Sequence, residues 1–122
     1  MANGKYVDGF VIPVPKKKTA EYRKMASTAS RVWKKFGALD YKECIMDDPK
    51  PPFVTYTFSK MAKMKPSETV WFSFIVYKSR KHRDSVNKKV MAYFEKKYGK
   101  DMPMPFDMKR FAYGGFKVMV SI

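Results

Sequence analysis

The chain has 122 residues, 45 % hydrophobic and 16 % aromatic, which makes a disordered chain an unsuitable reading and gives one domain over 1–122. A formal charge of +15, from 26 basic and 11 acidic residues, directs attention to anionic partners or to a solvated basic exterior. With 21 Lys against 5 Arg the exterior is favoured, because specific phosphate recognition recruits the bidentate arginine fork.

No apolar run approaches the roughly 18 residues of a membrane helix, so no membrane association is expected. The start of the chain lacks a leader pattern, and one cysteine, Cys44, cannot form an internal disulfide. A cytoplasmic location follows as an expectation. Cys44 lies among strand-like residues and reads as a small buried apolar side chain.

Lys5–Val14 reads as the first strand, with Pro13 at a sheet edge or beyond the ladder because it has no N–H to donate. Asp8 stands on this strand beside Gly9. A carboxylate there is a proton acceptor or, more plainly, the partner of Arg110 or a tyrosine hydroxyl. The first helix begins near Thr19. Tyr22, Met25, Ala26, Ala29, Val32, Trp33 and Phe36 form one stripe over four turns, and Gly37 follows where a C-terminal glycine belongs.

Ala38–Met46 is the second strand, with Leu39, Tyr41, Glu43 and Ile45 on one face and Asp40, Lys42 and Cys44 on the other. The Pro-rich Asp47–Pro52 ends it. Within Phe53–Lys65 the pattern allows an edge strand over Phe53–Phe58 and a short helical turn over Ser59–Met64. Thr69–Tyr77 is a strand without Gly, Pro or charge. Both of its faces are apolar: Val70, Phe72, Phe74 and Val76 on one, Trp71, Ile75 and Tyr77 on the other. Such a strand requires cover on both sides.

Ser79 stands at the N-cap of a second long helix, with Val86, Val90, Met91 and Phe94 at helical spacing. Arg110–Ile122 is the last strand. Its Gly114-Gly115 pair indicates a bulge or close approach by another backbone.

The order strand, helix, strand, strand, helix, strand describes an α+β fold: a ferredoxin-like βαββαβ antiparallel sheet with two helices on one face. Two helices cover one side of that sheet. A second copy of the chain is the expected cover for the other, giving a homodimer in which two sheets face each other.

Several blocks also resemble a known family. Tyr6–Val11 with Pro13-Val14-Pro15, Val32-Trp33-Lys34 with Gly37-Ala38-Leu39, and Glu68-Thr69-Val70 with Phe72-Ser73 belong to the likeness. So do Ile75–Arg80 with His82-Arg83-Asp84 and Val86-Asn87, and Met104–Asp107 with Lys109-Arg110 and Tyr113–Phe116. Together they resemble the YbaA-like family of small bacterial proteins of unknown function. The resemblance implies a dimeric α/β barrel, in which two ferredoxin-like sheets close a barrel across the dimer. It brings no established activity and no catalytic residues. Superfamily analogy extends to cofactor-free monooxygenase or isomerase chemistry, but a fold does not fix a function.

His82 is the only histidine, and Arg80, Lys81 and His82 fill the first helical turn after Ser79. Cations there oppose the helix dipole, an arrangement that sometimes marks an anion site. Arg80, His82 and Arg83 are therefore the candidate ligand-binding residues, and Asp8, Tyr41 and His82 the candidate catalytic ones. The plainer reading is a surface turn neutralised by Asp84. One His and one Cys cannot build the usual protein-only zinc site, so no metal is expected. The chain has no phosphate loop, dinucleotide fingerprint or nucleophile elbow, so no cofactor is expected. The leading expectation is a homodimer that binds a small organic, anionic ligand between sheet and helices. The alternative is nucleic-acid or polyanion binding through the basic surface.

Overall fold

The computed structural model describes residues 5–122. Four strands form one antiparallel sheet: β1 (Tyr6–Pro15), β2 (Asp40–Ile45), β3 (Glu68–Tyr77) and β4 (Ala112–Lys117), in the order β2-β3-β1-β4. Two long helices, α1 (Thr19–Lys35) and α3 (Arg80–Tyr98), and a single-turn helix, α2 (Phe58–Met61), complete the regular structure with two 3₁₀ turns. The strand order and antiparallel pairing are those of an α+β fold and are consistent with the ferredoxin-like arrangement.

β1 and β3 are the long central pair, in register from Tyr6↔Tyr77 to Pro15↔Glu68. β4 pairs with β1 only as far as Val11↔Ala112, so Pro13 lies beyond that ladder, where its missing N–H costs nothing. β4 is shorter than the sequence suggests and ends at Lys117. Val118 still donates its N–H to the Lys5 carbonyl at 3.0 Å, but Met119, Val120 and Ile122 are exposed.

The pleat divides the side chains as the alternation requires. Ile12, Val14 and Trp71 meet Tyr22 and Ala26 of α1 in one cluster. Ile75 and Tyr77 meet Val32 of α1 and Val86 and Val90 of α3 in a second. α1 ends because Gly37 takes φ 113°, letting its N–H reach the Lys34 carbonyl while Ala38 reaches that of Trp33. α3 starts because the Ser79 hydroxyl accepts the His82 N–H at 3.0 Å.

The opposite face is partly covered from within the chain. Phe53–Phe58 forms no strand. Thr57 caps α2, and the segment beyond it lays Ala62 and Met64, with Met46, over Val11 and Val70. The rest of that face stays open: Phe72 is 43 % and Phe116 62 % exposed. Cys44 also lies there and is exposed, not buried as its neighbours suggested, because β2 is an edge strand and neither long helix covers that side.

The glycine pair of β4 answers a side chain and not a backbone. A Cβ on Gly115 would overlap the Tyr6 ring. Arg110 ties the far end of the sheet together. It grips Glu68 through both terminal nitrogens at 2.7 Å, Asp107 at 2.9 Å and the Lys63 carbonyl at 3.1 Å. Glu68 is 4 % exposed, and the guanidinium holds its carboxyl below the usual carboxylate range.

Replacing Arg110 by methionine strands that carboxylate, so Arg110→Met should cost roughly 3–5 kcal/mol in a denaturant melt at neutral pH. A carboxyl depressed by folding adds stability above its unfolded pKa and loses it as pH falls through the folded value. The gap between wild type and variant should therefore narrow as the pH falls from the ordinary carboxylate range through that depressed value.

Candidate functional site

Asp8 and Arg83 come from the first strand and the second long helix, and the fold brings them into contact. Asp8 sits at the β1 position paired with Ile75 and Gly115, pointing toward the helices, and is fully buried. Arg83 lies one turn into α3. Its Nη1 donates to Asp8 Oδ1 at 2.7 Å and also to the Tyr113 hydroxyl, while its Nε donates to Asp84 at 2.8 Å. The guanidinium carbon lies 4.9 Å above the Tyr6 ring.

Asn87, one turn further along α3, extends the network. Its Nδ2 reaches Asp8 Oδ2 at 3.5 Å, and its Oδ1 accepts from the Tyr77 hydroxyl at 3.0 Å and from Trp33 Nε1 at 3.1 Å. The polar chain therefore runs from β4 across the sheet to α1. Burial pushes the Asp8 carboxyl up, and Arg83 and the surrounding donors only partly offset it. Tyr77 is held protonated by the same burial and by the charge on Asp8.

This network opens on a depression of about 660 Å³ rimmed by Tyr6, Arg80, Lys88 and Tyr113. Arg83 Nη2 makes no protein hydrogen bond among the described residues, which leaves a donor beside Arg80 and Lys88. A second cavity, also of about 660 Å³, lies between α1 and α3 beneath Met102 and Met104. It is mostly apolar, with Trp33, Phe94 and Tyr98 in its walls. Met91 borders both spaces, and Asn87 and Trp33, bonded to each other, line one each.

The residues expected at the site separate into three places. Arg80 and Arg83 line the depression, and Asp8 lies buried behind Arg83. His82, on the next face of the helix, turns toward Gly37, with its ring edge-on to Tyr77 and its Nδ1 accepting the Lys78 N–H at 2.9 Å. Partial burial and the lysines nearby lower its pKa, so its ring acts as a neutral acceptor that closes the turn before α3. Tyr41 lies on the edge strand β2, where its hydroxyl donates to Glu43 at 2.7 Å. Asn87 was not anticipated, although it is one helical turn after Arg83; Tyr113 reaches the arginine from β4, where it pairs with Phe10, two residues after Asp8.

Residues 5–108 match the family described as "Protein of unknown function (DUF1428)". The chain belongs to that family. DUF1428 includes no described activity in its title, and the relatives carry the same silence. The uncharacterized protein YbaA of Escherichia coli K12 is 44 % identical over 118 residues, covering 96 % of this chain and 98 % of that protein. The YbaA of Shigella flexneri matches to the same extent. The resemblance read from the sequence blocks is thereby confirmed. Among solved structures, the de novo designed protein Foldit4 aligns at a TM-score of 0.44 with 8 % identity, covering 96 % of this chain and 99 % of that one.

For this DUF1428 chain the Asp8–Arg83 pair makes a sharp stability prediction. Arg83→Met leaves Asp8 buried and uncompensated and should cost roughly 3–5 kcal/mol in a urea melt. Adding Asp8→Asn to that variant removes the stranded charge, so the double variant should be more stable than Arg83→Met alone.

Proposed function

We propose that this protein is a homodimer closed through the open face of its sheet, as a dimeric α/β barrel, and that each protomer binds a small organic anion between its sheet and helices. The observation that carries the binding reading is the buried Asp8–Arg83 pair, whose arginine lines a depression that meets an apolar cavity at Met91. Arg83 is oriented by three protein acceptors or hydroxyls and keeps a free guanidinium nitrogen, with Arg80 and Lys88 beside it. An amphipathic acid fits this pairing, with its carboxylate at the arginines and its apolar body past Met91 toward Trp33 and Phe94. Cofactor-free monooxygenase or isomerase chemistry would need a proton acceptor in that space; Asp84 lines it, and Asp8, its carboxyl pushed up by burial, lies behind Arg83.

Two features support the dimer. Phe72 and Phe116 leave an apolar patch on the sheet, and the tail after β4 exposes Met119, Val120 and Ile122, which none of the described residues covers. A second copy placed sheet to sheet buries both. The basic surface favours the alternative of polyanion binding at one location, where Lys16, Lys17, Arg23, Lys24 and Arg31 gather along α1.

Two measurements test these statements. Sedimentation at micromolar concentration should give twice the 14.3 kDa chain mass, and Phe72→Lys should return the 14.3 kDa particle with its circular dichroism intact. A wild type that sediments at 14.3 kDa rejects the dimer. Titration with 1-naphthoate should show binding that Arg80→Gln weakens by about fivefold, the effect of one partly exposed ion contact. Generic DNA or RNA bound more tightly than naphthoate, with affinity falling steeply between two salt concentrations, would instead establish the polyanion reading.

A further inference from the structure

Glu43 stands apart from the other carboxylates on the sheet. Asp8 and Glu68 each meet an arginine at 2.7 Å. Among the described residues no Lys, Arg or His nitrogen forms an ion pair with Glu43, in a chain that carries a formal charge of +15. Hydroxyls hold it instead. The Tyr22 O–H donates to Oε1 at 2.8 Å and the Tyr41 O–H to Oε2 at 2.7 Å, with Ser73 as a third neighbour. Both oxygens are fixed as acceptors, and the negative charge has no positive one beside it.

A cavity of about 430 Å³ lies over this carboxylate, between α1 and the edge strand β2. Tyr41 and Trp71 wall it, and Trp71 packs on Tyr22 at 4.7 Å between ring centroids. The Trp71 indole N–H is buried and has no acceptor among the described residues. The Glu43 carboxylate thus lines this space with hydroxyl donors but no cation beside it among the described residues. The depression at Arg83 is lined by none of these residues.

We propose that this cavity binds a small molecule carrying a protonated amine, with the ammonium on Glu43 and the adjoining carbons against the rings of Tyr41 and Trp71. A desolvated carboxylate is stabilised most by a cation that donates hydrogen bonds to it, and an ammonium also gains from aromatic faces close by. The chain's own cations do not meet this need. Arg23, at the rim on α1, is exposed and makes no ion pair with Glu43. The rim hydroxyls of Ser27 and Ser30 suit polar substituents on the same ligand.

The experiment compares phenethylamine with 2-phenylethanol, which has the same ring and chain but no charge. Binding is read by calorimetry and by tryptophan fluorescence, since Trp71 lines the cavity. The wild type should bind the amine at least about tenfold more tightly than the alcohol, and Glu43→Gln should lose that preference while keeping its melting temperature. Ser27→Lys, on the exposed side of α1, places a cation at the rim and should weaken the amine without touching Glu43; it serves if Glu43→Gln does not fold. Equal affinity for amine and alcohol, unchanged amine binding in either variant, or no amine binding at 10 mM overturns the proposal.

Discussion

Val70, Phe72, Phe74 and Val76 cannot share a side of the sheet with Trp71, Ile75 and Tyr77, because successive residues of an extended strand point opposite ways. α1 and α3 bury the second set and leave the first without a helix. Everything else in the structure adjusts to that imbalance. The Pro-rich excursion after β2, which has no regular structure before α2, returns to lay Ala62 and Met64 on Val70. It reaches only one end of the face. Phe72 touches Phe58 of α2, with centroids 6.1 Å apart, yet remains 43 % exposed. An apolar residue left half in water beside a loop that already covers its neighbour leaves the face open, and the second copy proposed above would cover it.

The same sheet also carries its polar groups inward. Asp8, Ser73 and Glu43 all point toward the helices, on the side where the core is otherwise apolar. Each needs partners, since an unpaired buried polar group costs about 1–3 kcal/mol. Asp8 obtains them from α3 and β4, and Glu43 from the hydroxyls of Tyr22 and Tyr41. Polar groups at such positions are poor choices for stability alone, because well-packed apolar residues often serve a core as well or better. Asp8 is bonded to Arg83 of the depression at α3, and Glu43 lines the cavity between α1 and β2, where the ligands proposed above would meet them.

The arrangement of elements was legible because it rests on periodicity. The α1 stripe, the Gly37 terminus, the Ser79 cap and the two-faced β3 are repeating or local signals, and each appears where the spacing places it. The site was half legible. Asp8 and Arg83 stood out as a charge in a strand and a cation at a helix start, but their contact spans 75 positions and no local pattern links them. His82 was misleading for a definable reason. It follows Arg80 by two residues, and a helix turns by about 100° per residue, so neighbours in a charged first turn face different surroundings. Its face looks toward Gly37 while that of Arg83 looks toward Asp8. Cys44 misled because burial was inferred from strand character, whereas exposure depends on the strand's place in the sheet. Phe53–Phe58 looked strand-like by composition, yet Phe53 adopts φ 69°, outside the extended region.

The distribution of the basic residues separates two roles that a net charge merges. None of the lysines described is buried, so the bulk of the +15 lies in water, where opposite charges are screened and each contact is weak. The five arginines behave differently. Arg83 and Arg110 are inserted among carboxylates on opposite faces of the sheet, with side chains only 12 % and 14 % exposed. Arg80 stands at the depression, and Arg23 at the rim of the Glu43 cavity. Arg83 and Arg110 thus sit at a buried acid, where a planar fork with fixed donors is worth more than a flexible ammonium. Had the charge served polyanion binding alone, arginine would be expected along the lysine-rich surface of α1, where only Arg23 and Arg31 occur. On the readings proposed above, the specific electrostatics of this molecule concern small cavities and single carboxylates, and the lysines set the background in which they act.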